Sequence, residues 1–352
     1  MKLDFDNNGR LVWHSEYVQQ PVFRKMLAEM RKIIVGYEAE LLQISLLFTA
    51  DGHAVLMANS GLGKTKIASC FPLVIDGLKV ARVQGTPDNL PSSVVGYTVD
   101  TADGERIWRH GQVPGGAEGA NFLLVDEATR NTARLWAAFM QMMEERQKTV
   151  EDRTQPMADP FVTVLTANFP APGQGTVELP DACYDRLMFN LQWGYPSLDG
   201  LVEITRRTDE LKDPHPEKLI QAVTDVGEIL KMREEVRQIS RAATDQVCQY
   251  IARLTYGTNP HTETMKGTAS NGKPFRELVA MGGSPRCAMD LKMAASAFAH
   301  ALGDGTLRPE HVKAMFPDVA RAHTKMADAA NLSRKKVKVD ELITEVLKGT
   351  TP

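Results

Sequence analysis

A chain of 352 residues is long enough to bury a sizeable core, as one large domain or two modest ones. Its formal net charge of −3 excludes a global basic field for phosphate backbones, so any nucleic-acid binding would need a local patch. The cysteines at 70, 183, 248 and 287 lie far apart with no C-x-x-C pair, which argues against a zinc site or disulfide framework and fits a reducing cytoplasm. The first ten residues are polar and acidic, and no run of about 18 apolar residues occurs. The expectation is a cytoplasmic chain without a membrane span.

In chain order, residues 1–25 form an N-terminal extension of no clear class, with Trp13, Tyr17 and Phe23 scattered among polar positions. From Met26 to Ala50 apolar residues recur at helical spacing, broken at Val35-Gly36. Residues 53–58 (HAVLMA) are a short apolar run ending in a glycine-bearing loop, the pattern of a buried parallel strand. Similar runs at 79–84, 121–126, 161–167 and 187–192, with helical stretches between them, predict an α/β fold with a doubly wound parallel sheet. YTVD and ERIW flank Ala102-Asp103-Gly104, which predicts a β-hairpin inserted near 96–111, and a second hairpin is expected over 149–159. Beyond Pro196 the pattern is helical to about Phe316. The expected division is therefore 26–195, 196–330, and a basic tail with a helix over 331–352, carrying Arg334, Lys335, Lys336 and Lys338.

The chemistry sits at the strand ends. Asn59-Ser60-Gly61-Leu62-Gly63-Lys64-Thr65 follows the first strand and opens a helix. Backbone N–H groups in such a loop form an anion site, the lysine reaches outer phosphates, and the threonine hydroxyl is a Mg²⁺ ligand. The strict pattern asks for glycine five residues before Gly63, where this chain has Ala58. Asn121-Phe-Leu-Leu-Val-Asp126-Glu127 supplies an apolar strand and then two adjacent carboxylates, Asp126 for the metal and Glu127 for the attacking water. Asn168 ends the 161–167 run and can bond a γ-phosphate or the water. Leu135, Trp136, Phe139, Met140 and Met143 form one helical face, read as core. The ligands expected are ATP and Mg²⁺.

Taken together, the chain resembles the MoxR family of AAA+ ATPases over roughly residues 26–325. The likeness rests on IIVGYEAEL, GTPDNLPSSVVGYTV, LLVDEATRNTARLWAAFMQMMEERQKTV, LPDACYDRLMFNLQWGYPS, GGSPRCAMDLKMAASAFAHAL and LRPEHV, in that order. It implies an AAA+ P-loop domain with a parallel five-stranded sheet, followed by an all-helical lid. It implies Walker A roles for Lys64 and Thr65, Walker B roles for Asp126 and Glu127, and a sensor 1 role for Asn168. Arg186 matches the arginine finger and Arg286 the sensor 2 arginine; from the residues alone, Arg130 and Arg153 stay open as fingers. Asn59-Ser60 stands where the family often has proline. The resemblance also implies a homo-hexameric ring, a von Willebrand factor A domain partner, and remodelling of a client complex. Two other readings compete. One is a nucleic-acid motor, using the cluster Arg106, Trp108, Arg109 and His110, although the acidic balance speaks against nucleic acid. The other is a nucleotide-gated scaffold with little hydrolysis. Tyr97 is read as hairpin core.

Overall fold

The computed structural model describes residues 3–151, 153–169, 178–212, 216–327 and 337–352. Arg334, Lys335 and Lys336 of the expected basic tail lie outside these residues. Two compact units make up the chain. One comprises Lys25–Arg186 and Leu191–Leu230; the other comprises Met1–Arg24, Leu187–Asn190 and Lys231–Pro352.

Strands are numbered in chain order: β1 (Ala54–Met57), β2 (Ile75–Asp76), β3 (Val80–Gln84), β4 (Tyr97–Asp100), β5 (Arg106–Arg109), β6 (Phe122–Asp126), β7 (Gln147–Val150), β8 (Arg153–Pro156), β9 (Val162–Ala167) and β10 (Phe189–Gln192). The five apolar runs form one five-stranded sheet in the order β10-β1-β9-β6-β3. The pairs β1–β9, β9–β6 and β6–β3 are parallel. β1, β6 and β9 are buried at every position, as strands covered on both faces must be. β3 alternates, with Ala81 and Val83 inside and Val80, Arg82 and Gln84 outside, as suits an edge strand. Beneath the sheet, the helix Glu38–Ala50 is buried from Leu41 to Ala50, and Phe48 stacks on both Phe71 and Phe122 with centroids 6.0 Å apart.

Two antiparallel hairpins, β4–β5 and β7–β8, stand outside the sheet. Their junction is a buried lysine. Lys148 on β7 is 1% exposed, donates to the carbonyls of Val95 (2.7 Å) and Val113 (2.5 Å), and lies 5.7 Å from the Trp108 ring centroid. Thr98 Oγ1 donates to Glu151 Oε2, a second link between the hairpins. The register puts Tyr97, Val99, Ile107 and Arg109 on one face. Tyr97 is 46% exposed, so it is not the hairpin core residue that the sequence suggested. A hairpin has only two faces, and here the packed one belongs to Trp108.

The second unit is built on the helices Pro285–Ala301 and Pro309–His323, with Leu291, Ala294, Phe298, Val312, Phe316 and Val319 buried. Within it, the N–H groups of Gln19 and Gln20 donate to the Ala301 carbonyl, so the N-terminal segment satisfies that helix end. Arg321 is 7% exposed and pairs with Asp318 and with Asp340 (2.8 Å), while donating to the Asn190 carbonyl at 3.0 Å. The chain beyond Pro196 is not wholly helical. Thr224–Asp225 pairs with β2, and Val279–Met281 pairs with Lys325–Met326. Stretches this short carry no periodicity to read.

Lys148 makes a pH prediction. Burial pushes its ammonium down to about 8 from an ordinary 10.5. Between those values the unfolded chain holds a proton the folded chain has lost, so stability rises with pH through that window. Denaturant unfolding from pH 8 to 10.5 should move the stability difference between wild type and Lys148→Met in favour of the wild type. A difference that stays constant with pH contradicts a depressed ammonium.

Candidate functional site

The site is assembled at the C-terminal ends of parallel strands, where such sheets place their ligands. β1 ends at Met57, and Ala58 extends its ladder by donating to the Ala167 carbonyl at 3.4 Å. The loop then turns through Gly61 (φ +83°) and Gly63 (φ +79°) into the helix Lys64–Cys70. A Cβ at either glycine would meet nothing within 4 Å, so these positions need glycine for their dihedrals and the space beside them is open. Ala58 is different. It is fully buried and is not among the described residues of positive φ, so the missing first glycine removes no conformational freedom that the loop uses.

Lys64 turns back under the loop. Its Nζ donates to the carbonyls of Ala58 (2.7 Å) and Asn59 (2.9 Å) and to Asn168 Oδ1 (2.8 Å). All three acceptors are neutral. Burial lowers its pKa, and the nearby charges of Asp126 and Glu127 oppose that shift.

Asp126 closes β6 and is 3% exposed. Its Oδ1 accepts from Thr65 Oγ1 (2.8 Å) and Thr166 Oγ1 (2.6 Å), and its Oδ2 accepts from Arg82 Nη2 (2.7 Å). Burial alone would raise its pKa; the hydrogen bonds from Thr166, Thr65 and Arg82, with the charge of Arg82, outweigh it and hold the carboxyl below its usual range. Glu127 follows in the left-handed region (φ 51°, ψ 46°), its N–H bonded to Thr166 Oγ1 at 2.9 Å. That backbone turn separates two adjacent carboxylates. Asp126 points into the sheet end, while the Glu127 side chain is 40% exposed and meets Arg130 at 3.0 Å.

Lys64, Thr65, Asp126, Glu127, Arg130 and Thr166 line one cavity of about 240 Å³, together with Ser60, Gly61, Leu62, Gly63, Thr129, Ala167 and Asn168. Asn59 supplies its carbonyl to Lys64 behind the loop. The loop is braced from outside by Trp193, whose Nε1 donates to the Leu62 carbonyl at 3.3 Å, and by Lys66, which donates to the Leu211 carbonyl at 2.6 Å. Arg186 is not in this cavity. Its Nε lies 3.3 Å from Glu144 and its Nη1 donates to the Ala182 carbonyl at 2.6 Å. Arg286 stands in the first turn of Pro285–Ala301 in the other unit, with Pro285 at N1 and Ser284 at an extended N-cap that makes no side-chain cap bond.

The donor set suits the ligands. Open glycine dihedrals beside a buried ammonium with only neutral partners suit a polyphosphate, and one hydroxyl with one carboxylate suits the hard Mg²⁺ ion, which keeps water and phosphate ligands. Three residues of the site escaped sequence reasoning: Thr166, Arg82 and Arg130 as a partner of Glu127. Thr166 did leave a signal, as a polar residue inside an otherwise apolar run.

The fold and site define a P-loop nucleotide protein of the AAA+ type. The model of the ATPase family associated with various cellular activities (AAA) matches residues 53–189. The chain is 30% identical to Bacillus subtilis YeaC over 254 residues, covering 72% of this chain and 75% of that protein. It is 29% identical to chaperone MoxR1 of Mycobacterium tuberculosis over 303 residues (84% and 74%), and 25% identical to MoxR of Methylorubrum extorquens over 322 residues (90% and 91%). A crystal structure from Cytophaga hutchinsonii shares the fold, with a TM-score of 0.77 at 24% identity over 94% of each chain. The chain belongs to the MoxR family of AAA+ ATPases.

Gly85 tests how tightly the second carboxylate is placed. Its N–H donates to the Asp126 carbonyl at 2.7 Å, and a Cβ there would sit 2.2 Å from the Glu127 carbonyl oxygen. Gly85→Ala should cost about 2–4 kcal/mol in denaturant unfolding. Gly194→Ala, where a Cβ meets nothing within 4 Å, should stay within about 0.5 kcal/mol. Equal effects at the two positions would refute the close approach.

Proposed function

We propose that this chain hydrolyses ATP in an oligomeric ring, a homo-hexamer, and couples the cycle to remodelling or activation of a client protein complex. The observation that carries this reading is the convergence of Lys64, the Thr65–Asp126 pair and Glu127 in one cavity. The backbone of Asn59 to Thr65 cradles the phosphates, and the Lys64 ammonium, held by neutral acceptors, turns toward them. Thr65 and Asp126 would hold Mg²⁺, which when bound would withdraw charge from phosphate oxygens. Glu127, its carboxylate kept at the cavity edge, accepts the proton of the attacking water at Oε1 or Oε2. Asn168 spends its oxygen on Lys64, which leaves its NH₂ to orient that water or a phosphoryl oxygen.

Arg186 serves a neighbour's site as a finger in trans. In its own chain it is engaged by Glu144 and Ala182, away from the cavity, which fits that assignment better than a role in cis. Arg130 lines its own chain's cavity beside Glu127, which suits a role in cis better than one in a neighbour's site. Arg286 acts from the lid as the second sensor. Leu198, Leu201 and Val202 leave an apolar face exposed on the short helix Leu198–Arg206, with exposed Tyr195 just ahead of it, which a ring neighbour would cover. The partner is a von Willebrand factor A domain protein, and the cycle runs in the cytoplasm. The hairpin cluster supports a nucleic-acid motor poorly. Arg106 pairs with Asp100 at 3.1 Å, and Trp108 is turned toward Lys148 and His110.

Steady-state phosphate release tests this. Glu127→Gln should lower turnover at least about a hundredfold while retaining ATP binding, and Lys64→Ala should lose binding. Arg186→Ala should lower turnover about a thousandfold. Mixing it with Lys64→Ala should restore part of the rate, since some interfaces then pair an intact loop with an intact finger. Turnover that persists in Glu127→Gln, or no rescue on mixing, overturns the assignments.

A further inference from the structure

Arg82 has no part in the reading above, yet it completes the shell of Asp126. It projects from the exposed row of β3, and its side chain is 50% exposed while that of Asp126 is 4% exposed. Asp126 Oδ1 is occupied by the hydroxyls of Thr65 and Thr166, and Oδ2 takes the Arg82 guanidinium at 2.7 Å. A buried carboxylate left without a counter-charge is strongly unfavourable, so Arg82 supplies the positive charge that lets Asp126 stay ionised at the strand tip. A hydrated divalent cation beside Thr65 would bring a second positive charge to that carboxylate. Its water would need an acceptor, and Oδ2 is the oxygen whose present partner is a half-exposed side chain and not a packed hydroxyl. The guanidinium is half in water already, so its withdrawal gives up little burial and is offset by hydration.

We propose that Arg82 is a surrogate counter-cation for Asp126, holding the carboxylate before the divalent cation arrives and yielding Oδ2 to the cation's water shell afterwards. Arg82 therefore sets how much metal is needed to saturate the site. It is a positioning residue, acting through Asp126 without touching nucleotide. The inference rests on the nucleotide reading of the cavity.

The test is a Mg²⁺ titration of the full-length chain with a fluorescent ADP analogue, each protein referred to its own affinity in EDTA. Arg82→Gln should lower the Mg²⁺ midpoint about five- to tenfold, because the competitor is gone. Arg82→Lys, which keeps a charge there, should stay within about twofold of wild type. Thermal unfolding gives a second readout: Arg82→Gln should melt below wild type in EDTA, and Mg²⁺ with ADP should close that gap. An unchanged or raised midpoint in Arg82→Gln, or a melting gap that Mg²⁺ and ADP leave intact, overturns the proposal. If the wild type binds no ADP analogue at any Mg²⁺ concentration, the nucleotide reading itself fails, which is a separate result.

Discussion

A single carboxylate, Asp126, buried at the tip of a central strand, sets the terms for everything around it. An ionised oxygen pair cannot sit there without donors, and the chain brings them from three separate elements. Thr65 comes from the helix after the loop, Thr166 from β9, and Arg82 from β3. Strand order makes this possible, because β9 and β3 flank β6 on either side and all run parallel. The same ends therefore meet at the same level. Moving either neighbour by one residue would turn its polar side chain to the opposite face and take that donor away from Asp126.

That constraint passes outward to Glu127. Thr166 accepts the Glu127 N–H while donating to Asp126, so one hydroxyl fixes both the buried carboxylate and the turn that follows it. The left-handed turn carries Glu127 out of the strand line, and Gly85 on the adjoining loop leaves room for its carbonyl. The result is a division of labour between adjacent residues of the same charge. One is buried and held ionised; the other is half exposed beside Arg130, free to meet water. Lys64 follows a related logic, as a buried cation whose neutral partners leave its charge to be answered from the cavity.

Away from the cavity, buried cations do structural work. Lys148 closes the base of two hairpins through backbone carbonyls, and Arg321 ties its unit together through Asp318, Asp340 and a carbonyl. Both are fully committed to partners, unlike Arg82, whose half-exposed side chain bonds Asp126 at 2.7 Å and reaches Gln84 only at 3.5 Å. The contrast separates cations that must stay from one that can move.

Contiguity decides what could be read in advance. The five strands, the loop from Asn59 to Thr65 and the Asp126-Glu127 step are each set within a few consecutive residues, by burial on both faces and by glycine dihedrals. They were legible for that reason, as was most of one helical face: Leu135, Trp136, Phe139 and Met143 are buried, whereas Met140 is only half-buried and Met142 is buried instead. The question of Ala58 was open in the sequence and closed by a backbone that needs no left-handed residue there. Thr166, Arg82 and the pairing of Arg186 with Glu144 lie some 40 residues or more from the groups they meet, and no spacing rule connects them. Tyr97 went the other way, because alternation along a hairpin says which residues share a face and not which face is packed. Local dihedral and burial demands were thus written in the chain itself, while the partners of its buried charges were decided only when the parallel sheet set distant strand ends side by side.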